Sequence, residues 1–179
     1  MPRKARFTRE DFINTALSIA RESGLSAITA RELASRLECS TRPMFTCFDS
    51  VDELREEVAK KASESFYSAL RADGGDPLTA LGLSILGFAK SEPGLWSVRK
   101  SAGLDLGGFT GTIADAYSLT DEQAAHALSV TAGFCLCEPT ELMLRQVIFA
   151  ELKALREVPG YLKGEFTKPR QRQFASWID

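Results

Sequence analysis

Residues 29–48, TARELASRLECSTRPMFTCF, combine two short helical patterns with a polar corner between them. Thr29 and Glu32 have the spacing of a capping box, in which each side chain satisfies a backbone N–H group at a helix start. This spacing predicts that a first helix begins at Ala30. Ser40 is a favourable N-cap residue and predicts a second short helix directly after the corner.

The segment before this pair supplies a surface on which two short helices can pack. Isolated helices shorter than about 12 residues are marginal in water, so neither helix is expected to be stable alone. An apolar stripe at helical spacing precedes them and ends at Gly24, a residue type that commonly terminates helices. The stripe consists of Phe12 or Ile13, Ala16, Leu17 and Ala20. Three helices with a tight corner between the last two match the helix-turn-helix plan, whose final helix enters the major groove of DNA.

The composition is that of an ordinary globular protein, with 179 residues, 44% hydrophobic and 26% charged. A chain of this length can bury roughly 70% of its unfolded surface. The longest nearly apolar run, over residues 127–137, is shorter than the roughly 18 residues of a membrane-spanning helix. Because no apolar run follows the basic N-terminus, a secretory signal is not expected. We therefore expect a cytoplasmic, nucleoid-associated protein without a membrane partner.

Positive charge is concentrated at the N-terminus, although the formal net charge of the chain is only −2. Arg3, Lys4, Arg6 and Arg9 all precede the first acidic residue, Glu10. Such a run is either a solubilising tail or an arm that contacts phosphates or the minor groove. The adjacent helix-turn-helix pattern favours the arm.

The chain after residue 50 shows only helical patterns. Ser50 and Glu53 form a second capping box, which predicts a long helix that reaches about residue 71. Four glycines between residues 103 and 111 are interpreted as a mobile or closely packed connection. Further helices are predicted over residues 77–90, 120–137, 141–157 and 161–177, with a turn or two around residues 95–98. Since no segment longer than four residues alternates convincingly, we predict an all-α protein.

Residues 7–54 resemble the N-terminal domain of the tetracycline-repressor (TetR) family of bacterial transcription regulators. The order of features carries the resemblance: a basic arm, a helix closing in Ser23-Gly24, a capped short helix, Ser40 before the recognition helix, and Asp52-Glu53-Leu54 at the start of a long helix. The similarity covers about the first third of the chain.

The resemblance implies two domains. Residues 1–50 would form a three-helix helix-turn-helix DNA-binding domain, and residues 51–179 a helical bundle for effector binding and dimerisation, with residues 51–71 as the connecting helix. It implies a homodimeric regulator, a repressor, that binds a palindromic operator and is released by a small-molecule effector. Two heads related by a two-fold axis would meet half-sites about 34 Å apart. No cofactor or metal is expected.

The residues expected at the DNA lie in the arm and around the corner. Arg42, Thr41 and Thr46 would face base edges, and Arg42 is best placed to pair with a guanine. Thr29, Arg31, Ser40 and the basic arm would hold phosphates, and a helix start at Ser40 would help through its free N–H groups. The complete set is Arg3, Lys4, Arg6, Thr29, Arg31, Ser40, Thr41, Arg42, Phe45 and Thr46.

Four positions depart from the family pattern, in which Gly usually occupies the place of Glu38, Tyr that of Phe45, His that of Cys47 and Lys that of Val51. Phe45 lacks a hydroxyl that would reach a phosphate, and Glu38 near DNA would repel it. The alternative interpretation is therefore a helical small-molecule or protein-binding module of the same fold, with weakened or no DNA binding.

Large apolar residues after residue 50 either form the core of a helical bundle or line a cavity between helices. The resemblance implies such a cavity, filled by a small apolar or aromatic effector. His126, a single imidazole in a helix of mostly small residues, is either a polar handle in this cavity or exposed. The pocket candidates are Phe66, Phe88, Trp96, Phe109, Tyr117, His126, Phe134 and Met143. The resemblance also implies a dimer surface on the helices over residues 120–137 and 141–157, with candidates Ala124, Ala127, Leu128, Ala132, Leu144, Val147, Ile148 and Leu152.

Residues that could support catalysis or metal binding are sparse. The chain has four cysteines, and Cys135 and Cys137 are only one residue apart, which suggests a redox or metal role. With a single histidine and no CxxC motif, we prefer buried free thiols that act as small hydrophobic groups. No paired carboxylates and no nucleophile with a base occur at useful spacing, so the sequence does not predict an enzyme.

Overall fold

A computed structural model describes residues 7–74 and 76–157, and the secondary structure in these ranges is helical throughout. The α-helices are α1 (Arg9–Ser23), α2 (Ala30–Arg36), α3 (Met44–Cys47), α4 (Val51–Ala69), α5 (Pro77–Ser91), α6 (Pro93–Ala102), α7 (Thr110–Tyr117), α8 (Asp121–Cys135) and α9 (Glu141–Glu157), with 3-10 turns at Leu25–Ala27 and Gly107–Phe109. The all-α prediction is confirmed. The predicted last helix, over residues 161–177, lies outside the described residues. None of the described helices combines the length and apolar character needed to cross a membrane.

The chain divides into two compact units. The first unit takes the residues up to 71 together with 83–104, and the second takes 72–82 together with those from 105 onward. The division therefore falls within α5. The functional boundary predicted after residue 50 is drawn on different grounds and stays a prediction.

In the first unit, α1 packs against α2, α4 and α6. Its capping box pairs Thr8 with Asp11, and Gly24 ends it with φ 79, a conformation that glycine adopts without a steric penalty. The side chains that α1 buries are Phe12, Ile13, Ala16, Ile19 and Ala20. This confirms the predicted stripe except at Leu17, which is half-buried, and each large apolar side chain buried here contributes roughly 1.5 to 3 kcal/mol.

The start of α2 is confirmed, although its predicted capping box is only half formed. The Thr29 hydroxyl accepts a hydrogen bond of 3.1 Å from the Glu32 N–H group. The Glu32 carboxylate instead accepts from Arg36, one turn further along the same helix, at 2.9 Å. The Arg36 guanidinium thus binds the Glu32 carboxylate, which in a complete capping box would accept from the Thr29 N–H group.

The prediction that Ser40 caps α3 is wrong, because the helix begins only at Met44 and has Pro43 as its flanking residue. An N-cap at Ser40 would place Pro43 at the third helical position, where the backbone N–H normally donates to the cap, and proline has no N–H group. Proline also disfavours the helical conformation for Arg42 before it. The second helix of the pair is therefore a single turn.

In the second unit, α8 packs against α7 and α9. The predicted capping box of Thr120 and Gln123 at the start of α8 is present in both directions. The glycine-rich stretch differs from the prediction, since Gly107–Phe109 form a 3-10 turn that leads directly into α7. The turn predicted around residues 95–98 is likewise longer, forming the ten-residue helix α6.

Candidate nucleic-acid interface

The corner between α2 and α3 is a Schellman turn, closed by two backbone hydrogen bonds. The Cys39 N–H group donates to the Ala34 carbonyl at 2.9 Å, and the Glu38 N–H group donates to the Ser35 carbonyl at 3.3 Å. Glu38 has φ 49, in the left-handed region that favours glycine. An exposed acidic residue thus occupies the position at which helices most often carry glycine.

Buried apolar side chains fix both helices of the pair. Leu33 of α2 and Met44 of α3 are fully buried, and Phe48 follows them into the core directly after α3. The Phe48 ring meets the Phe12 ring of α1 edge to face, with 6.4 Å between centroids. The predicted common face of Met44 and Phe48 is therefore the core-facing side, which leaves the remaining side chains of the pair at the surface.

The predicted DNA-contact residues of the corner are accessible. Thr29, Arg31, Ser40, Arg42 and Thr46 are exposed, and Thr41 is half-buried. Phe45, a large apolar residue of α3, is 53% exposed. The predicted arm residues Arg3, Lys4 and Arg6 lie outside the described residues.

Two arginine side chains of this helix pair have no internal partner among the described residues: Arg31 in the first turn of α2 and Arg42 just before α3. The side chains of Arg31 and Arg42 form no hydrogen bond or ion pair with any residue that the structure describes, although the Arg42 carbonyl accepts a hydrogen bond of 3.3 Å from the Thr46 hydroxyl. By contrast, Arg36 donates two hydrogen bonds to Glu22, and Arg55 donates to the Ile28 carbonyl at 2.7 Å. The guanidinium groups of Arg31 and Arg42 are therefore free to bind an anion or a base edge.

Arg9, which the sequence grouped with the basic arm, binds internal partners instead. Its guanidinium donates to the Cys47 carbonyl at 2.6 Å and to the Glu53 carboxylate at 2.8 Å. The Glu53 hydrogen bond is the main cause that raises the pKa of Arg9, and the same bond lowers the pKa of Glu53. The N-terminus of α1 is in this way joined to the end of α3 and to α4.

Three of the predicted pocket residues form an aromatic cluster within the first unit. The Phe66 ring lies 5.3 Å from Phe88 and 6.2 Å from Trp96, measured between centroids, and all three side chains are buried. In this conformation they pack on one another, as core residues do.

The other five pocket candidates belong to the second unit. Phe109 and Phe134 are half-buried, whereas Met143 is 51% exposed. The Tyr117 hydroxyl donates to the Asp76 carboxylate and accepts from the Leu78 N–H group at 3.2 Å. Tyr117 therefore joins α7 to the start of α5, and burial together with this contact raises its pKa.

His126, the last pocket candidate, lies beside a buried carboxylate. Its Nε2 atom is 3.1 Å from a carboxylate oxygen of Glu151, whose side chain is only 8% exposed. Glu151 was not singled out from the sequence, where it is one of several acidic residues in a helix rich in charge. Its spacing from Leu144, Ile148 and Leu155, which places it on the buried face of α9, was the available signal.

The predicted dimer residues mostly face the interior of their own chain. Ala124, Ala127, Leu128, Ala132, Leu144 and Ile148 are buried, and Val147 and Leu152 are half-buried. The reason is that α8 and α9 pack against each other. A different set of large apolar side chains is left at the surface of α9: Leu142 at 65%, Met143 at 51% and Phe149 at 66% exposure.

The thiols do not form a site. Cys135 is buried and Cys137 is exposed, so the interpretation as buried hydrophobic groups is confirmed for Cys135 and wrong for Cys137. Burial raises the pKa of the Cys135 thiol to about 12. Over residues 7–74 and 76–157, no group of three His, Cys, Asp or Glu side chains could hold a metal ion.

Comparisons with known proteins show a structural likeness but no family match. No protein-family model and no curated protein matches the sequence. Among solved structures, the chain is similar to a transcriptional regulator from Rhodococcus sp. Rha1, with a TM-score of 0.49 and 15% sequence identity. The aligned region covers 83% of this chain and 96% of that one.

Proposed function

We propose that this protein is a DNA-binding transcription regulator of the TetR type, a repressor that binds a palindromic operator as a homodimer and is released by a small-molecule effector. The observation that carries the proposal is that two exposed arginine side chains, Arg31 at the start of α2 and Arg42 just before α3, have no internal partner in the part of the chain that the structure describes, whereas Arg36 at the end of α2 is paired internally. Cations left unpaired on a rigid surface favour binding to a polyanion.

Within this proposal, Arg42 reads a base and Arg31 holds the backbone. Arg42 lies in the turn that leads into α3, the element that enters the major groove in this plan. A guanidinium can bind the O6 and N7 atoms of guanine with two hydrogen bonds. Thr41 and Thr46 assist at base edges, while Thr29, Ser40 and the arm residues Arg3, Lys4 and Arg6 contact phosphates.

Phe45 contributes an apolar contact rather than a hydrogen bond. Its ring is exposed on α3, two residues before the end of the helix. An aromatic ring at this place can pack against a thymine methyl group, which is a sequence-dependent contact. The loss of a tyrosine hydroxyl at this position therefore changes the kind of contact that α3 makes with DNA.

In this proposal two copies of the chain associate through α9, so that the dimer has two DNA-binding domains. Leu142, Met143 and Phe149 are large apolar side chains left exposed on this helix, and contiguous exposed apolar patches can mark protein–protein contacts. A two-fold contact would bury the same side chains of both copies at once. The buried candidates Ala124, Ala127, Leu128, Ala132, Leu144 and Ile148 then support this surface from within each copy.

In this proposal the effector binds in the second unit. Phe109 and Phe134 are half-buried there, and the His126–Glu151 pair offers a polar handle for a ligand group. An effector that binds one dimer shape more tightly than the other would shift the population away from the shape that fits DNA.

Selection of bound sequences from random duplex DNA, at two salt concentrations, tests the proposal. We expect a palindromic site to be enriched, and its affinity to fall steeply as salt rises because phosphate contacts release counterions. An Arg31→Ala, Arg42→Ala double variant is the matched control, which should bind more weakly and lose its preference at one base pair of each half-site. If the unaltered protein enriches no sequence at either salt concentration, the DNA-binding proposal is wrong. The helical binding module without DNA binding would then be the better description.

A further inference from the structure

The end of α3 is held by a side chain from another helix. The helix has only four residues, Met44–Cys47, so it cannot be stable by itself. A carbonyl group at a helix end has no partner within the helix. Here the Cys47 carbonyl accepts a hydrogen bond of 2.6 Å from Nη1 of Arg9, which lies at the start of α1.

The same guanidinium is fixed on its other side by α4. Nη2 of Arg9 donates to Glu53 at 2.8 Å and lies 3.5 Å from Glu57. The planar group also lies over the Phe48 ring, with 4.0 Å between the guanidinium carbon and the ring centroid. One side chain therefore binds the backbone of α3, the carboxylates of α4 and the ring that follows α3.

We propose that Arg9 is a positioning residue for DNA recognition: it caps α3 from α1, sets the angle at which α3 meets DNA, and does not itself bind a phosphate. This inference rests on the proposed DNA-binding function. It separates Arg9 from the arm cations Arg3, Lys4 and Arg6, with which the sequence alone groups it. Nη1 and Nη2 of Arg9 both have protein partners, so the fork of the guanidinium is already engaged within the fold.

Substitution of Glu53 tests the inference, because charge repulsion and the positioning role of Arg9 predict opposite changes in DNA affinity. Removing an acidic side chain from a DNA-binding surface normally strengthens binding, because repulsion of the phosphates is reduced. Glu53 anchors Arg9, so Glu53→Gln should instead weaken binding to the operator. The cap of α4 is the Ser50 hydroxyl, which accepts from the Glu53 backbone N–H group at 3.0 Å, so the substitution of the side chain leaves this cap in place.

The experiment compares four full-length variants with the unaltered protein on the selected operator over a range of salt: Arg9→Ala, Arg9→Lys, Glu53→Gln and Glu56→Gln. We expect Arg9→Ala and Glu53→Gln to weaken operator binding roughly 5- to 100-fold, about the loss caused by removing one base-edge contact. The salt slope, that is, the slope of log affinity against log salt concentration, should not change. Arg9→Lys keeps the positive charge but should still bind the operator more weakly than the unaltered protein, because an ammonium group lacks the fork that reaches two acceptors. Glu56 is exposed on the same helix, so Glu56→Gln is the charge-matched control and should bind at least as tightly as the unaltered protein.

Three results would overturn the inference. They are a salt slope reduced by about one phosphate contact in Arg9→Ala, full binding by Arg9→Lys, and tighter binding by Glu53→Gln.

Amide hydrogen exchange separates this inference from the proposed function, since it needs no DNA. The Phe48 N–H group donates to the Met44 carbonyl at 2.9 Å and closes α3. We expect its exchange to accelerate in Arg9→Ala and Glu53→Gln but not in Glu56→Gln, while amides of α8 remain unchanged. If the unaltered protein selects no DNA and Phe48 still responds, only the proposed function fails. If Phe48 exchange is the same in all variants, Arg9 does not position α3.

Discussion

Glu22 and Arg36 are joined by two hydrogen bonds, of 2.8 and 2.7 Å, which tie α1 to α2. The paired arrangement presents both carboxylate oxygens to the two terminal nitrogens of the guanidinium, the strongest geometry for this kind of contact. These bonds, with a further one from Ser18, lower the pKa of Glu22 from its ordinary value of 4.5 to about 2.

The first prediction concerns pH. Because the folded pKa of Glu22 is depressed, its contribution to stability is present above pH 4.5 and is lost as pH falls towards 2. The unaltered protein should exceed Glu22→Gln in free energy of unfolding near neutral pH, and this difference should shrink between pH 4.5 and 2. Denaturant unfolding at several pH values measures it. A difference that stays constant over this range would show that the pair has no such role.

The second prediction uses two glycines of the first unit. A Cβ atom at Gly94 would lie 2.2 Å from the Ala20 carbonyl oxygen, whereas one at Gly87 would meet no atom within 4 Å. Gly94→Ala should therefore lower the free energy of unfolding by about 1 to 3 kcal/mol through overpacking. Gly87→Ala should raise it by roughly 0.5 to 1 kcal/mol, because alanine favours a helix. Equal effects of the two substitutions would mean that α6 does not approach α1 this closely.

The third prediction concerns the corner between α2 and α3. Glu38 has φ 49, and the left-handed conformation costs residues other than glycine roughly 1 to 2 kcal/mol. Glu38→Gly should recover part of this, about 1 kcal/mol in the free energy of unfolding, after glycine's larger unfolded-state entropy is subtracted. Glu38→Gln keeps the strain but removes the charge, so it should leave stability nearly unchanged while strengthening DNA binding. A stabilising Glu38→Gln would point to charge rather than backbone strain.

The fourth prediction concerns thiol reactivity. Cys135 is buried and its pKa is raised to about 12, so little thiolate forms near neutral pH. Cys137 is exposed, two residues further along the chain. Alkylation of the folded protein followed by peptide mass spectrometry should label Cys137 and leave Cys135 unmodified until denaturant is added. Equal labelling of both under native conditions would contradict the burial of Cys135.

Helix ends were predictable where one local signal decided them. Gly24 ends α1, Thr29 starts α2, and the capping box of Thr120 and Gln123 starts α8. These features depend on residues within one turn, which the sequence displays directly. The start of α3 was missed because two local signals conflict there, and the missing N–H group of Pro43 outweighs the capping tendency of Ser40.

The functional surfaces were less predictable, because they depend on which neighbour covers each helix face. Helix α9 has apolar residues on more than one side, including Leu142, Leu144 and Phe149. Periodicity alone does not distinguish the side that packs within the chain from the side that remains exposed. In the same way, Arg9 and Arg42 look alike in the sequence, yet the Arg9 side chain binds internal partners while the Arg42 side chain has none among the described residues.

The measurement that tests the central claim most directly is the binding of three proteins, unaltered, Arg42→Ala and Arg31→Ala, to the selected operator and to its single-base variants. Arg42→Ala should lose about 1 to 3 kcal/mol of discrimination at one base pair in each half-site and leave the other positions unaffected. Arg31→Ala should weaken binding to all sequences alike and reduce the salt slope by about one contact. If Arg42→Ala produces only a uniform, sequence-independent loss, the α2–α3 corner does not read DNA through Arg42.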